Sequence, residues 1–444
     1  MEIVREDASL QLYSGAGKSG SKYKMILSYY DSSAHPRPDF PALTENIAVD
    51  VCVIGGGYTG LSAALELAEK GLRVALLEAE KIGWGASGRN GGQIAAGYSP
   101  GMIDTEKIVG RADAARLWEF SVQAAQLLKE RISRHRIDCD LKAGELYAAT
   151  RDSHRQWLLE EQELCQQRYH YTGYRWIEAA DLPDYVTTER YSGALMDDNG
   201  GHLHPLNYVL GLAAAAREAG VMIYEKTRVL AIERGARPVV SSAAGKVTAD
   251  FVVLAGNAYL GGLESKLAAK IIPVSTSIIA TEPLGVERAR ALMQTEACVA
   301  DTDFNLDYFR LSADNRLLYG GRDQAGSRAG MAGDGLRANM LRTFPQLADV
   351  RIDFAWDGMV AVTRNRLPDF GRMGKNIYYA QGYSGQGVPL SSIAGKVMAE
   401  AICGEAAGFD VFARIPHKSF PGGTRFRVPL LSLAMFYYRL RDLL

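Results

Sequence analysis

The first strong pattern along the chain is an apolar run, a glycine cluster, a helical stripe and a second apolar run. Asp50 to Ile54 reads as a short strand and Gly55 to Gly60 as a tight turn. Leu61, Ala64, Leu65 and Ala68 recur at helical spacing, Gly71 ends the helix, and Arg73 to Leu77 reads as a second strand. Strands this apolar have no polar face to give to water. They predict a parallel sheet covered by helices on both sides.

The pattern then changes. Residues 110–187 carry an amphipathic helix ("ADAARLWEFSVQAAQLLKERISRH"), a strand ("GELYAAT") and a polar helix over 153–168. A helix over 204–219, with Pro205 near its start, leads to the strand "VMIYEKT", and "ADFVVLAGNAY" (249–259) adds an apolar strand. From 271 to 321 the pattern is strands, "IIPVSTSIIAT" and a hairpin in "NLDYFRLSADNRLLYGG" with its turn near Ala313 to Arg316. "NIYYAQGYSGQGVPLSSIAGKVMAEAICG" returns to strand, glycine loop and helix. Nucleotide-type segments thus stand at both ends and once in the middle, with a β-rich region inserted. No internal repeat is visible.

Bulk composition removes several function classes. A length of 444 residues suits two or three packed domains. Lys plus Arg is 50 against 51 Asp plus Glu, with no basic tract, which argues against nucleic acid. Cys52, Cys139, Cys165, Cys298 and Cys403 are scattered without a C-x-x-C, so neither a disulfide framework nor a metal site is expected, and a reducing cytoplasm fits. Residues 1–24 are polar and read as a disordered leader or tag. Their "GAGKSGS" fails as a phosphate loop because Leu12 stands where the first glycine belongs. No apolar run is long enough to span a bilayer. The apolar, aromatic and then basic segment within 428–444 is expected to pack on the protein, with peripheral contact to the inner membrane face or a partner as the alternative.

The chemistry starts at Gly55-x-Gly57-x-x-Gly60. Between strand and helix, these glycines permit a tight turn, close approach to a pyrophosphate and close helix–strand packing, and the helix N-terminus offers free N–H groups. Glu78, at the end of the second strand, suits ribose hydroxyls. That predicts a dinucleotide. A second glycine-rich stretch, "GWGASGRNGGQ" (83–93), follows at once. A nicotinamide dinucleotide seldom needs one, whereas FAD is longer, and Ser87, Arg89 and backbone N–H groups could serve its pyrophosphate and ribityl chain. The expected cofactor residues are Gly55, Gly57, Tyr58, Thr59, Gly60, Glu78 and Ala79 from the first unit. Ser87, Gly88, Arg89, Asn90, Gly91, Gly92 and Gln93 come from the second, and Val229, Gly256, Asn257, Gly382, Gly385, Gln386 and Gly387 from later loops. Arg89 is expected at the flavin end.

These blocks, with "GGHLHPL" (200–206), "FVVLAGNAYLG" and "NIYYAQGYSGQGV", resemble the D-amino-acid-oxidase/glycine-oxidase superfamily. The C-terminal "FPGG" and "YYRLRDLL" are similar to the branch of γ-glutamylputrescine oxidases and relatives, whose substrates include polyamine conjugates and cyclic amino acids such as L-pipecolate. The resemblance implies an α/β plus antiparallel-β protein, with a Rossmann-like FAD-binding (GR2) domain and an inserted mixed-sheet substrate domain. The cofactor domain is expected over 48–108, 188–262 and 350–410, the substrate domain over 109–187 and 263–349, and a tail over 411–444. The implied reaction removes hydride from a carbon bearing nitrogen, and water hydrolyses the imine. "GYSGQG" (382–387) is expected at the pyrimidine edge of the flavin. Two positions depart from sarcosine-oxidase-type members, where lysines serve oxygen and the substrate carboxylate. This chain aligns Leu318 and Pro389 there. No cysteine stands near Val360 and Ala361, where that subgroup bonds its flavin, so FAD is expected to be noncovalent, and Cys298 is expected in the core.

Amine oxidation needs a neutral amine, an oriented C–H and a dry site. Strand alternation puts Tyr308 and Arg310 on one face and Phe309 and Leu311 on the other. Tyr308 and Arg310 are expected to face the substrate, with Arg310 gripping a carboxylate or forming an ion pair. His202 and His204 are candidates for a base or flavin-face residue, or for a histidine satisfied at a helix start. Tyr383 is a candidate cavity wall, and Trp356 a weaker one. The electron acceptor is either oxygen or a quinone or other carrier. A non-catalytic FAD-binding subunit is the alternative outside enzymes.

Overall fold

The computed structural model describes residues 28–303, 305–321 and 332–423; the expected leader and the 428–444 segment lie outside them. The first sheet centres on parallel strands β1 (Ile47–Ile54), β2 (Val74–Leu77), β7 (Met222–Tyr224), β10 (Lys246–Leu254) and β17 (Ile377–Gln381). Antiparallel β16 (Asp369–Met373) closes one edge, and β9 (Val239–Ser241) with β8 (Ala231–Glu233) hangs from β10. The uniform apolarity of β1 and β2 is used on both faces. Val51, Val53, Val74 and Leu76 pack into one buried cluster, and Cys52, Ile54, Ala75 and Leu77 into another.

The second sheet is mixed. Its order is β15 (Ile352–Thr363), β11 (Ile271–Thr281), β14 (Leu317–Gly321), β13 (Asp307–Leu311), β12 (Cys298–Asp301), β4 (Lys142–Ala148), β6 (Gly193–His202) and β3 (Gln93–Ile94). The ninth strand, β5 (Tyr174–Glu178), also pairs with β6. The expected hairpin is present as β13–β14, with Asn315 at φ 59° in its turn. Alternation along β13 holds as well. Phe309 stacks on Tyr319 on one side, while Tyr308 and Arg310 turn toward the second glycine-rich stretch. Cys298 is fully buried, as expected.

The chain changes sheets more often than its periodicity suggests. Strands β3, β6 and β15 fall inside the spans 48–108, 188–262 and 350–410 expected for the cofactor domain, yet all three pair in the second sheet. Period-two alternation reports which faces a strand buries, and not which partner it takes.

Helices Tyr58–Glu69 and Gly387–Ile402 cover the first sheet and cross closely. A Cβ at Gly395 would stand 2.5 Å from both the Ala63 nitrogen and the Ser62 Cβ. Among the described residues, no helix is long and apolar enough to cross a membrane. Because the Gly395 contact is partly with backbone, the crossing cannot relax around a side chain. Gly395→Val is expected to lower stability by about 1–3 kcal/mol, as overpacking does, measured as a fall in the thermal midpoint.

Candidate active site

Gly55 takes φ +114° at the end of β1, and Gly57 is extended at the N-cap of helix Tyr58–Glu69. Gly57 has no side chain to cap that helix. The second glycine-rich stretch supplies one: Ser87 Oγ accepts the Tyr58 N–H at 3.0 Å. A Cβ at Gly57 would lie 2.8 Å from the same Ser87 oxygen, and one at Gly60 would run into the Gly55 carbonyl. The two glycine units therefore form one interlocked cradle.

Glu78 closes it. Its carboxylate accepts N–H groups from Gly56 at 2.6 Å and Glu80 at 2.8 Å, while burial pushes its pKa above the usual range. Along this cradle runs a cleft of about 400 Å³. Gly55, Gly57, Tyr58, Thr59, Glu78 and Ala79 line one stretch, and Ser87, Asn90, Val229, Gly256 and Asn257 the next. Gly385, Gly387 and Tyr383 also line the cleft. A long cleft, glycines whose Cβ would fill the cradle, a helix N-terminus and a carboxylate at the adenosine end fit FAD.

The remaining expected cofactor residues support the cleft from behind. Gly60 and Gly88 sit where a Cβ would strike the Gly55 and Gly83 carbonyls. A Cβ on Gly91 would meet the Tyr308 ring at 2.7 Å, and Gly92, at φ +81°, abuts the Leu203 carbonyl. Gln93 donates to Val299 O (3.2 Å), Gly382 N to Asn257 Oδ1 (2.9 Å), and Gln386 N to Tyr383 O (3.1 Å). Arg89 is not in the cleft wall either. Its Nε donates to Trp84 O at 3.0 Å and its guanidinium lies 5.8 Å from the Trp84 ring centroid, so it clips the loop to itself and to Asp357 of β15. Sequence reasoning missed Trp84, Tyr259, Pro273 and Met359 in the wall. Trp84 and Tyr259 stand within segments read for their glycines and polar residues, and nothing local marks Pro273 or Met359 as facing a nucleotide.

The candidate catalytic residues separate. Tyr383 stands in the cleft wall, its hydroxyl 2.8 Å from Thr59 Oγ1. Tyr308 is wedged between Gly91 and Gly320. Arg310 is buried and engaged with carbonyls and a phenol: Nε to Gly91 O (2.8 Å), Nη1 to Leu311 O (3.3 Å), and Nη2 to Leu203 O (3.1 Å) and Tyr30 Oη (3.2 Å). No carboxylate pairs with it among the described residues.

His204 is the helix-start histidine. Its Nδ1 accepts the Asn207 N–H at 3.1 Å and its Nε2 meets Ser33 Oγ at 3.1 Å. Ser33 in turn donates to Tyr29 O, so the network places the ring proton on Nε2 and leaves no lone pair for a base. His202 Nε2 reaches Glu296 O at 2.8 Å, and its buried Nδ1 has no partner. Burial first, and Arg310 second, lower both histidine pKa values, that of His204 to about 3.

Together these features define a flavin-dinucleotide oxidoreductase. The FAD dependent oxidoreductase model matches residues 50–401, and the chain belongs to that family, as an FAD-dependent amine or amino acid oxidoreductase. It is 46% identical over 417 residues to the γ-glutamylputrescine oxidoreductase of Escherichia coli K12, spanning 94% of this chain and 98% of the relative. It is 40% identical over 422 residues to the probable oxidoreductase OrdL of Haemophilus influenzae, spanning 94% and 97%. The crystal structure of Geobacillus kaustophilus glycine oxidase shares the fold, with a TM-score of 0.66 at 23% identity over 80% of this chain and 94% of that one.

Two outcomes are expected. Glu78→Ala removes the carboxylate and leaves the Gly56 N–H unpaired, so FAD should bind at least about tenfold more weakly in a fluorescence titration of the apo-protein. The second concerns pH. The folded pKa of His204 is about 3 against an ordinary 6.5, so acid protonates the unfolded chain preferentially. Its stabilising contribution is complete above about pH 6.5 and lost as pH falls toward 3. Thermal midpoints between pH 6.5 and 4 should fall less steeply in His204→Asn, which keeps a capping side chain without the titration.

Proposed function

We propose that the protein oxidises an amine of a γ-glutamyl polyamine conjugate, with FAD held noncovalently in the cleft. The full-length 46% identity to the E. coli γ-glutamylputrescine oxidoreductase carries the reading. The geometry favours it over an α-amino acid such as pipecolate. An α-amino acid needs a carboxylate anchor beside the reacting carbon. Arg310 is occupied by carbonyls, and a buried proline, Pro389, stands where the carboxylate-binding lysine of sarcosine-oxidase-type relatives aligns. A γ-glutamyl conjugate carries its carboxylate far from the amine to be oxidised.

Bound FAD supplies a ring that accepts two electrons. Gly55, Gly57 and Glu78 would hold the adenosine and pyrophosphate end, and Tyr383, Gly385 and Gly387 the other. The substrate loses hydride from the carbon next to nitrogen, and water adds to the imine to release a carbonyl compound and an amine. Val360 and Ala361 are in the cleft wall, which contains neither cysteine nor histidine, in keeping with noncovalent flavin. With His204 capped and the pKa of His202 lowered, the amine is expected to enter already neutral, so kcat/KM rises with pH as the substrate amine titrates.

A second reading passes the electrons to a quinone or carrier. Leu318 favours it, standing where the oxygen-activating lysine of sarcosine-oxidase-type relatives aligns. One experiment addresses both points: anaerobic flavin bleaching with γ-glutamylputrescine, pipecolate, proline, sarcosine, glycine and D-alanine, followed by peroxide assay in air. The conjugate should bleach the flavin fastest. Equal or faster bleaching by an α-amino acid would overturn the substrate assignment, and peroxide formed at the turnover rate would remove the carrier reading.

A further inference from the structure

We propose that Tyr30 is a positioning residue for the second glycine-rich stretch, acting through Arg310 and Trp356. This rests on the reading that residues 83–93 help to hold FAD. The backbone of that stretch is held from several sides. Arg310 Nε donates to Gly91 O at 2.8 Å, Trp356 Nε1 to Arg89 O at 3.0 Å, and Leu203 N to Gly92 O at 3.0 Å. The first two donors come from side chains on separate strands, β13 and β15. One residue touches both of them: Tyr30 is fully buried, accepts Arg310 Nη2 at 3.2 Å, and sets its ring edge-on to Trp356 with centroids 5.1 Å apart.

Tyr30 comes from outside both sheets. It sits on a short helix, Tyr29–Ser33, in a strap that precedes residue 50, where the family match begins. The strap is also anchored by contacts that involve neither Arg310 nor Trp356. Tyr29 Oη donates to Asp314 Oδ1 at 2.8 Å, His35 N to Asn207 Oδ1 at 2.9 Å, and Arg37 Nη1 to Ile82 O at 3.3 Å. The guanidinium needs its acceptors because it is buried without a carboxylate, and an unfilled donor there carries a large penalty. Removing the Tyr30 hydroxyl leaves Arg310 Nη2 with Leu203 O and frees the guanidinium to tilt off Gly91.

Tyr30→Phe keeps the ring and removes that acceptor. Trp356→Phe removes the other donor. Tyr29→Phe cuts a strap anchor and keeps the ring that packs on Tyr30. We expect Tyr30→Phe and Trp356→Phe each to weaken FAD binding about tenfold and to alter the visible circular dichroism of bound flavin. Amide hydrogen exchange over residues 88–92 of the apo-protein should also quicken, whereas Tyr29→Phe leaves all three readouts at wild-type values. Wild-type exchange and affinity in Tyr30→Phe and Trp356→Phe would overturn the proposal. So would equal changes in Tyr29→Phe, which would make the effect general to the strap. If the wild-type protein holds no FAD, the cofactor reading fails, and the exchange measurement still decides the role of Tyr30.

Discussion

The structure depends on backbone meeting backbone at the start of helix Tyr58–Glu69. Gly60 presses on the Gly55 carbonyl, Gly55 on the Ala255 carbonyl, and Gly57 on the Ser87 hydroxyl. At Gly60 and Gly55 no side chain larger than hydrogen fits without moving main chain, and one at Gly57 would displace the Ser87 hydroxyl, which is what brings β1, β10 and the helix end close enough to share one ligand. A helix that starts on glycine lacks its own side-chain cap, and Ser87 provides it from the next loop. The second glycine-rich stretch is thus part of how the first one folds, which accounts for their closeness in sequence.

That stretch also joins the two sheets. It leaves the first sheet after β2, passes the cleft, and pairs as β3 with β6 of the second sheet. At the other end, the Lys270 ammonium, just before β11, meets Asp369 Oδ1 of β16 at 3.1 Å. Because the Asp369 carboxylate is almost fully buried, losing the Lys270 ammonium would leave it uncompensated, which costs more than breaking a surface pair. The wall between cofactor and second sheet is therefore tied at both margins, and Met359, Val360 and Ala361 of β15 reach the cleft from the far sheet.

What the sequence disclosed follows the range of each signal. The Gly55–Glu78 unit, the β13–β14 hairpin and the two faces of β13 are local patterns, set by neighbours a few residues away, and they were legible. The placement of Arg89, Arg310 and His204 was not. An arginine on a cavity-facing strand position is compatible with a substrate carboxylate, an ion pair or a cage of carbonyls. Which applies depends on Gly91, Leu203 and Tyr30, the last 280 residues away along the chain. Likewise His204 precedes a proline-initiated helix, and the partner that occupies its Nε2 is Ser33, 171 residues away.

The carbonyl cage has an electrostatic consequence for the site. A guanidinium paired with a carboxylate would project little field, because the two charges cancel within a few ångströms. Carbonyl oxygens solvate Arg310 at hydrogen-bond distance, and its positive charge acts on Asp140, whose pKa it lowers against the larger effect of burial. Both nearby histidines register it as a lowering of pKa added to that from burial. A cation that keeps histidines neutral also disfavours a protonated amine in its neighbourhood and favours negative charge. A substrate amine that arrived neutral would need no protein base among these residues. His202 and His204, first considered for acid–base work, are instead held as neutral rings by burial and by that charge.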